Sequence, residues 1–329
     1  ILVIDINGNI ILINDEARNI IKSKCIGEEE GKNIKQVIDV DEILKGIVQH
    51  IGSKENHIEN LTLEDETVYK LKIDPVYLQN SKNAIIGSII NIENITEIVK
   101  LENMRRDFVA NVSHELKTPL TSINGFVETL IMNEDLQVSK RNRFLAIIQK
   151  ESDRLKRLIE DILLLSSIEN KNDLVKESIS LYDVFKEVYD MINYIASSKN
   201  IDLSYEFEDD KVVVQAYGDY MKQLLLNLID NAIKYTPNGG KVIVKQFTKD
   251  NNIIIEVIDN GMGIPKEDQS KIFQRFYRVD KARSRSVGGT GLGLAITKHI
   301  VNSLNGSISV ESEFGEGSKF IVKLPKKIS

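Results

Sequence analysis

A chain of 329 residues with 42% hydrophobic and 28% charged residues has enough apolar material for two or three ordinary globular cores. Its net charge of −6, from 43 basic and 49 acidic side chains, excludes wholesale electrostatic binding of nucleic acid. One cysteine, Cys25, excludes an intramolecular disulfide and a cysteine-clustered zinc site, and no tryptophan with 6% aromatics offers no base-stacking platform.

The first element is a strand pair, ILVIDINGNIILIN, in which Asn7-Gly8 has the composition of a tight hairpin turn. The chain opens inside that alternating strand, on Ile1, with no signal peptide and no run of roughly 18 apolar residues. The expectation is therefore a fragment cut from a longer protein. Asn14-Asp15-Glu16-Ala17 starts a helix, and LTLEDETVYKLKIDPVYL and AIIGSIINIENIT supply later strands with a turn at Asp65-Glu66. This α+β order over residues 1–95, closing on Asn94-Ile95-Thr96, resembles a PAS sensor domain. His50, His57 and Cys25 are candidate heme or redox positions, but read more simply as surface or core residues of a module that transmits or dimerises without a ligand.

From Thr96 a helix continues without a glycine or proline break, with Ile98, Leu101, Phe108 and Val112 in a three-four alternation and Arg105 in the intervening slot. Within FVANVSHELKTPL the stripe goes on through Leu116, Leu120, Ile123, Val127 and Leu130. His114 lies midway between Val112 and Leu116 and so points away from it. Much of an imidazole is an unprotonated nucleophile near neutral pH. Glu115 is a candidate base or partner for the ring, Thr118 falls one turn on, and Pro119 has no N–H for the carbonyl of Glu115 and should bend the helix. A turn at Asn133-Glu134-Asp135 leads to a second helix, capped by Ser139, whose stripe is Phe144, Ile148, Leu155, Leu158, Ile162 and Leu165. One helical hairpin has too little core to stand alone, so two chains should combine into a four-helix bundle.

The polar run ENKNDLVKES reads as a hinge, after which strands and helices interleave as one mixed sheet with helices on one face. In DYMKQLLLNLIDNAIKY, with Asp219 placed to cap the helix, Asn227, Asn231 and Lys234 form a polar stripe beside Leu225, Leu228, Ala232 and Tyr235. Asparagine is a mediocre helix former, so two of them in mid-helix carry a cost that surface lysine or glutamate would avoid. A carboxamide oxygen suits magnesium, and the lysine suits phosphate. A hairpin (residues 241–248 and 253–258) then delivers Asp259-Asn260-Gly261-Met262-Gly263-Ile264-Pro265. A carboxylate at that strand end can accept a bond from an exocyclic amine, and the glycines permit close backbone approach to a flat base. IFQRFYRVDKARSR alternates Phe273, Phe276 and Tyr277 with Arg275, Arg278, Lys281, Arg283 and Arg285. Gly288-Gly289-Thr290-Gly291-Leu292-Gly293-Leu294 then feeds AITKHIV, a glycine-rich turn offering free N–H groups and a helix dipole to phosphate. It is neither a Walker loop nor a Rossmann turn.

In this order the segments resemble the ATP-binding domain shared by histidine kinases, DNA gyrase, MutL proteins and the large heat-shock chaperones. Asn227 to Tyr235 is similar to the N box, Asp259 to Gly263 to the first glycine box, Phe273 to Phe276 to the F box, and Gly289 to Gly293 to the second glycine box. Gly315-Glu316-Gly317-Ser318, before KFIVKL, is similar to a final one. With His114 in an H box of the form SHELKTPL, the resemblance narrows to sensor histidine kinases of two-component systems, and within these to the phosphate-response and cell-wall-response type. It implies a multidomain α+β chain: a PAS domain (1–95), a dimerisation and histidine-phosphotransfer hairpin (96–170), and an α/β sandwich of the GHKL type (171–329).

The resemblance further implies Mg-ATP as substrate, with Asn231 on the metal, Asn227 in support and Lys234 on phosphate. Tyr235 would line the pocket, Asp259 accept the adenine amine, Gly261 and Gly263 shape the floor, and Arg278 reach phosphate. The lid from Lys281 to Gly293, with Gly289, Thr290, Gly291 and Leu292, would close over the nucleotide. His114 would take the γ-phosphate with Glu115 handling its proton, an aspartate of a response regulator would receive it, and Thr118 would serve the reverse dephosphorylation. The chain is expected to be the cytoplasmic portion of a membrane-anchored bacterial sensor, homodimeric and without direct nucleic-acid contact. Two alternatives stand beside this: an ATPase clamp of the gyrase or chaperone type, and a non-catalytic dimeric scaffold.

Overall fold

The computed structural model describes residues 1–78, 84–133, 135–170, 176–279 and 289–326. The chain forms two compact units, Ile1–Ala110 and Asn111–Ser329.

In the first unit β1 (Leu2–Asp5) and β2 (Ile10–Ile13) pair antiparallel. The turn between them holds because the Asp5 carboxylate accepts the N–H groups of Asn7 and Asn9, each at 2.8 Å, and Gly8 takes a φ of +82°. Asn14 caps α1 (Asp15–Ile20) through the N–H of Ala17. After α2 (Ile34–Val37) and α3 (Asp41–His50) come β3 (His57–Thr62), β4 (Val68–Tyr77) and β5 (Ile85–Asn94). The five strands make one antiparallel sheet in the order β2-β1-β5-β4-β3. Its core joins Leu2, Ile4, Leu71 and Ile90 from the sheet to Ile34, Ile43 and Ile47 from the helices.

Helix α4 (Thr96–Met132) starts where the Asn94 side chain accepts the N–H of Thr96 at 3.0 Å, and it runs on through Pro119, which is buried. Helix α5 (Val138–Asn170) begins two residues earlier than a Ser139 cap would place it. Arg141 N–H already bonds the Gln137 carbonyl at 3.0 Å, so Ser139 lies in the first turn and does not cap it. Phe144 of the expected α5 stripe meets Phe126 of α4, which lies outside the stripe expected there, with ring centroids 5.2 Å apart; Leu158 and Leu165 of the α5 stripe are buried. Two residues of the α4 stripe, Leu120 and Val127, remain 49% and 37% exposed: within one chain, α5 covers only part of the apolar face.

The rest of the second unit is β6 (Glu177–Ser180), α6 (Leu181–Ser198), β7 (Asp202–Phe207), β8 (Val213–Ala216), α7 (Gly218–Tyr235), β9 (Lys241–Lys249), β10 (Asn252–Asp259), α8 (Lys266–Gln269), α9 (Gly293–Ser303), β11 (Ser307–Glu313) and β12 (Gly317–Pro325). The main sheet is mixed, in the order β11-β12-β10-β9-β7, with β7 parallel to β9 and the other pairs antiparallel. Helices α6, α7 and α9 pack on it, and α5 lies along α9. Asp219 sits in the first turn of α7 and makes no cap bond, because the helix starts at Gly218; its charge still suits the dipole there. Among the described residues no helix is long and apolar enough to cross a membrane.

Candidate active site

On α4 the imidazole of His114 is exposed, as its offset from the stripe requires, while Glu115 and Thr118 are half-buried. The Thr118 hydroxyl donates to the His114 carbonyl at 3.1 Å. That is the usual helical back-bond of a threonine, and it leaves the oxygen's acceptor capacity available. Glu115 departs from expectation: its carboxylate accepts from Arg154 Nη2 of α5 at 2.8 Å, in a pair only 21% and 11% exposed. Neighbouring positions on a helix diverge by about 100°, so the carboxylate turns across the hairpin, away from the ring beside it.

The other half of the site is a cavity of 910 Å³ between α7, the β10 end and the glycine-rich turn, walled by Asn227, Asn231, Lys234, Tyr235, Asp259, Gly261, Gly263, Arg278, Thr290, Gly291 and Gly293. The spacing of α7 therefore brings the polar stripe to one wall. Asn227 is the brace: it accepts from Gln223 at 3.0 Å and donates to the Gly293 carbonyl at 3.1 Å, tying α7 to the start of α9. Asn231, one turn on, is half-buried and its side chain makes no hydrogen bond among the described residues, which leaves its carboxamide oxygen for an incoming ligand. Lys234 is paired with Asp230 on the same helix.

Asp259 ends β10 and is 8% exposed, its carboxylate accepting the Gly261 N–H at 2.9 Å. Burial pushes its pKa up, and the N–H bonds from Gly261 and Ser318 oppose that only in part. The two floor glycines are sterically required. A Cβ on Gly261 would stand 2.6 Å from the Tyr235 carbonyl oxygen, and Gly263, at φ +67°, would overlap the Glu313 carbonyl. Gly291, at φ +76°, accepts the Phe276 N–H at 2.9 Å and so holds the F-box segment against the turn.

Two expected turn residues lie off the cavity wall. The Leu292 side chain is fully buried under the start of α9, where its apolar surface belongs, and its N–H bonds the Thr290 hydroxyl at 3.3 Å. The Gly289 carbonyl is engaged by the Arg278 guanidinium. Lys281, Arg283, Arg285 and Gly288 of the expected lid, and Glu134 of the hairpin turn, lie outside the described residues. No pattern in the chain foretells that α5 forms part of the cavity: Arg157, Glu160, Asp161 and Leu164 line it, and Asp161 accepts from Thr290 Oγ1 at 2.7 Å. Burial raises the Asp161 pKa, against the Thr290 bond and the Lys234 charge. Phe314, at the final glycine box, also lines the cavity.

The donor set fits magnesium and adenine nucleotide. An unpartnered carboxamide oxygen is a hard ligand, the buried carboxylate is an acceptor for an amine, and the glycine floor leaves room for a ring.

Residues 104–171 match the His Kinase A (phospho-acceptor) domain, and residues 217–328 match the histidine kinase-, DNA gyrase B- and HSP90-like ATPase family. The sensor protein kinase WalK of Staphylococcus aureus is 33% identical over 333 residues, covering all of this chain and 78% of the relative. WalK of Staphylococcus saprophyticus is 33% identical over 336 residues, and there the chain spans 53% of the relative's length. Among solved structures, histidine kinase ThkA in complex with response regulator protein TrrA is 25% identical, with a TM-score of 0.56 over 99% of this chain and 96% of that one. The Acinetobacter baumannii histidine kinase AdeS is 25% identical, with a TM-score of 0.54 over 65% of this chain and 98% of that one.

Proposed function

Because the chain belongs to the sensor histidine kinases of two-component systems, we propose that His114 is the phospho-acceptor, taking the γ-phosphate of ATP bound in the cavity and passing it to an aspartate of a response-regulator receiver domain. The observation that carries this reading is the pairing, in one compact unit, of an exposed imidazole on the hairpin with a cavity walled by Asn231, Lys234 and Asp259. Neither the clamp ATPase nor the scaffold alternative gives the phospho-acceptor match over residues 104–171 a purpose.

In this reading Nε2 of His114 forms the N–P bond as the bond from the γ-phosphorus to the bridging oxygen breaks and ADP leaves. Glu115 leaves Arg154 and accepts or orients the proton on Nδ1. Phosphoryl transfer depends mainly on positioning and charge neutralisation. Asp259 accepts the adenine amine, with Gly261 and Gly263 beneath the ring and Tyr235 beside it. Asn231 holds magnesium, which would neutralise phosphate charge, and Asn227 braces the wall. Lys234 and Arg278 exchange their internal partners for phosphate oxygens, and the Gly289 to Gly293 turn, with Thr290, closes over them.

The same hairpin works in reverse through Thr118, whose hydroxyl oxygen can hold a water against a docked phospho-aspartate. Thr118→Ala is expected to leave autophosphorylation intact and slow regulator dephosphorylation; equal dephosphorylation rates in the two proteins would refute the assignment. Residues 1–95 serve as a PAS-type input module, as their five-stranded antiparallel sheet with helices between β2 and β3 supports. Use of ATP by the second unit supports a cytoplasmic place for the chain. The decisive experiment is incubation with γ-labelled ATP and a panel of receiver domains. Acid-labile, alkali-stable label on the chain, lost in His114→Ala while nucleotide binding persists, is expected; label retained on that variant would place the acceptor elsewhere.

A further inference from the structure

The first unit holds a cluster that phosphotransfer leaves unused. His50 ends α3, His57 opens β3, and Glu59, two residues on, shares the sheet face of His57. One donor atom from each of the three lies within 4.8 Å of the other two. The imidazoles of His50 and His57 stack with centroids 3.3 Å apart and planes 17° from parallel, and His57 Nε2 is 3.7 Å from Glu59 Oε2. Cys25 stands outside the group.

This arrangement is costly as it stands. His57 Nε2 and Glu59 Oε1 are shielded from water and have no hydrogen-bond partner among the described residues. A buried carboxylate oxygen without a donor carries its full desolvation cost, and so does a buried ring nitrogen without a partner. The fold nevertheless makes room for it. Gly46, one turn before His50, is the helical position over Glu59, where a Cβ would lie 2.5 Å from Oε1 and 2.9 Å from Leu71 Cδ2. Glycine inside a helix is less favourable than alanine, so the helix gives up stability to make this space.

One cation removes both penalties. Neutral imidazole nitrogens are ligands, the carboxylate supplies charge, and the orphaned atoms gain a partner. A tetrahedral ion with bonds of about 2.0–2.1 Å sets its ligand atoms roughly 3.3–3.4 Å apart, close to the observed His57–Glu59 separation. Two imidazoles with one carboxylate are a poor set for calcium or magnesium, which ask for oxygen, and a good one for zinc and its borderline neighbours. We infer that His50, His57 and Glu59 form a binding site for a divalent borderline metal ion, Zn²⁺ by its chemistry, joining α3 to β3 and leaving a fourth position for water.

The test uses the full chain, stripped with a chelator and then titrated with Zn²⁺ against a chromophoric competitor, and with Co²⁺ for its visible absorption. The chain has four histidines, so attribution is direct. Expected are one equivalent of tightly held metal, tetrahedral-type Co²⁺ bands, and metal-dependent movement of the ring NMR signals of His50 and His57. His57→Ala and Glu59→Gln should each weaken binding at least about tenfold, as loss of a ligand does, while His299→Ala leaves it unchanged. The NMR measurement stands without any variant should one fail to fold. Unaltered affinity in folded His57→Ala, movement confined to His114 or His299, or no uptake up to millimolar Zn²⁺ overturns the inference.

Discussion

Asp259 shows how one side chain carries two opposed demands. In its proposed role as acceptor for the adenine amine it serves best ionised, yet burial raises its pKa. A raised carboxyl pKa means the protonated form favours the fold. That contribution is complete below the ordinary carboxyl pKa of about 3.9 and is lost as pH rises through the elevated value. Nucleotide binding runs the other way: it should weaken on acidification at a pH above that of an ordinary carboxylate. Asp259→Asn is expected to keep or raise thermal stability at neutral pH while weakening ATP about 10- to 150-fold, the worth of a charge-assisted hydrogen bond of about 1.5–3 kcal/mol. Calorimetric titration with ATP across pH measures both effects, and an unchanged affinity would remove Asp259 from the base-binding role. Glu115 shows the same tension in geometry, since its bond to Arg154 must be exchanged before it can serve the ring.

At the scale of elements, what was legible in the chain was whatever short-range rules decide. Asn7-Gly8 marked the first hairpin, Asn14 to Ala17 the start of α1, and the three-four spacing of Asn227, Asn231 and Lys234 one wall of the cavity. Ser139 and Asp219 misplaced two helix starts because α5 and α7 begin at Val138 and Gly218, so both residues fall inside the first turn. The bonds of Glu115 to Arg154 and of Thr290 to Asp161 were hidden for another reason: no periodicity connects residues brought together only by packing. Gly263 is legible in part: a glycine after the strand is expected for its freedom of backbone, and it takes φ +67°, but its crowding against the Glu313 carbonyl is not foretold. Gly263→Ala must accommodate both φ +67° and overlap with the Glu313 carbonyl, a strain of about 1–3 kcal/mol. A melting point lowered by several degrees together with weakened nucleotide binding is the expected result, read by calorimetry with and without ATP; a variant matching the parent in both would mean that the floor is compliant.

For the molecule as a whole, the uncovered apolar surface of the hairpin is the guide to assembly. Within one chain Leu120, Val127, Ile131, Leu145 and Leu163 stay exposed along α4 and α5, in addition to Ile98, Leu101 and Met104 near the start of α4. Two helices cannot cover one another on every side, and an exposed apolar stripe of this length on each is what a four-helix bundle buries. A second copy of the chain would supply the matching stripes by symmetry, which no unrelated partner does as simply. Val127→Glu with Leu163→Glu would place two carboxylates per chain in that seam. Burying an unpaired charge there costs several kcal/mol, enough to turn a stable dimer into monomers at micromolar concentration. Sedimentation should show a dimer for the parent and a monomer for the double variant, with helical content and nucleotide binding retained. Because the cavity lies within one chain, ATP affinity should survive dissociation, whereas label on His114 should fall wherever transfer runs between subunits. A double variant that still sediments as a dimer would show that these side chains face something other than a twin.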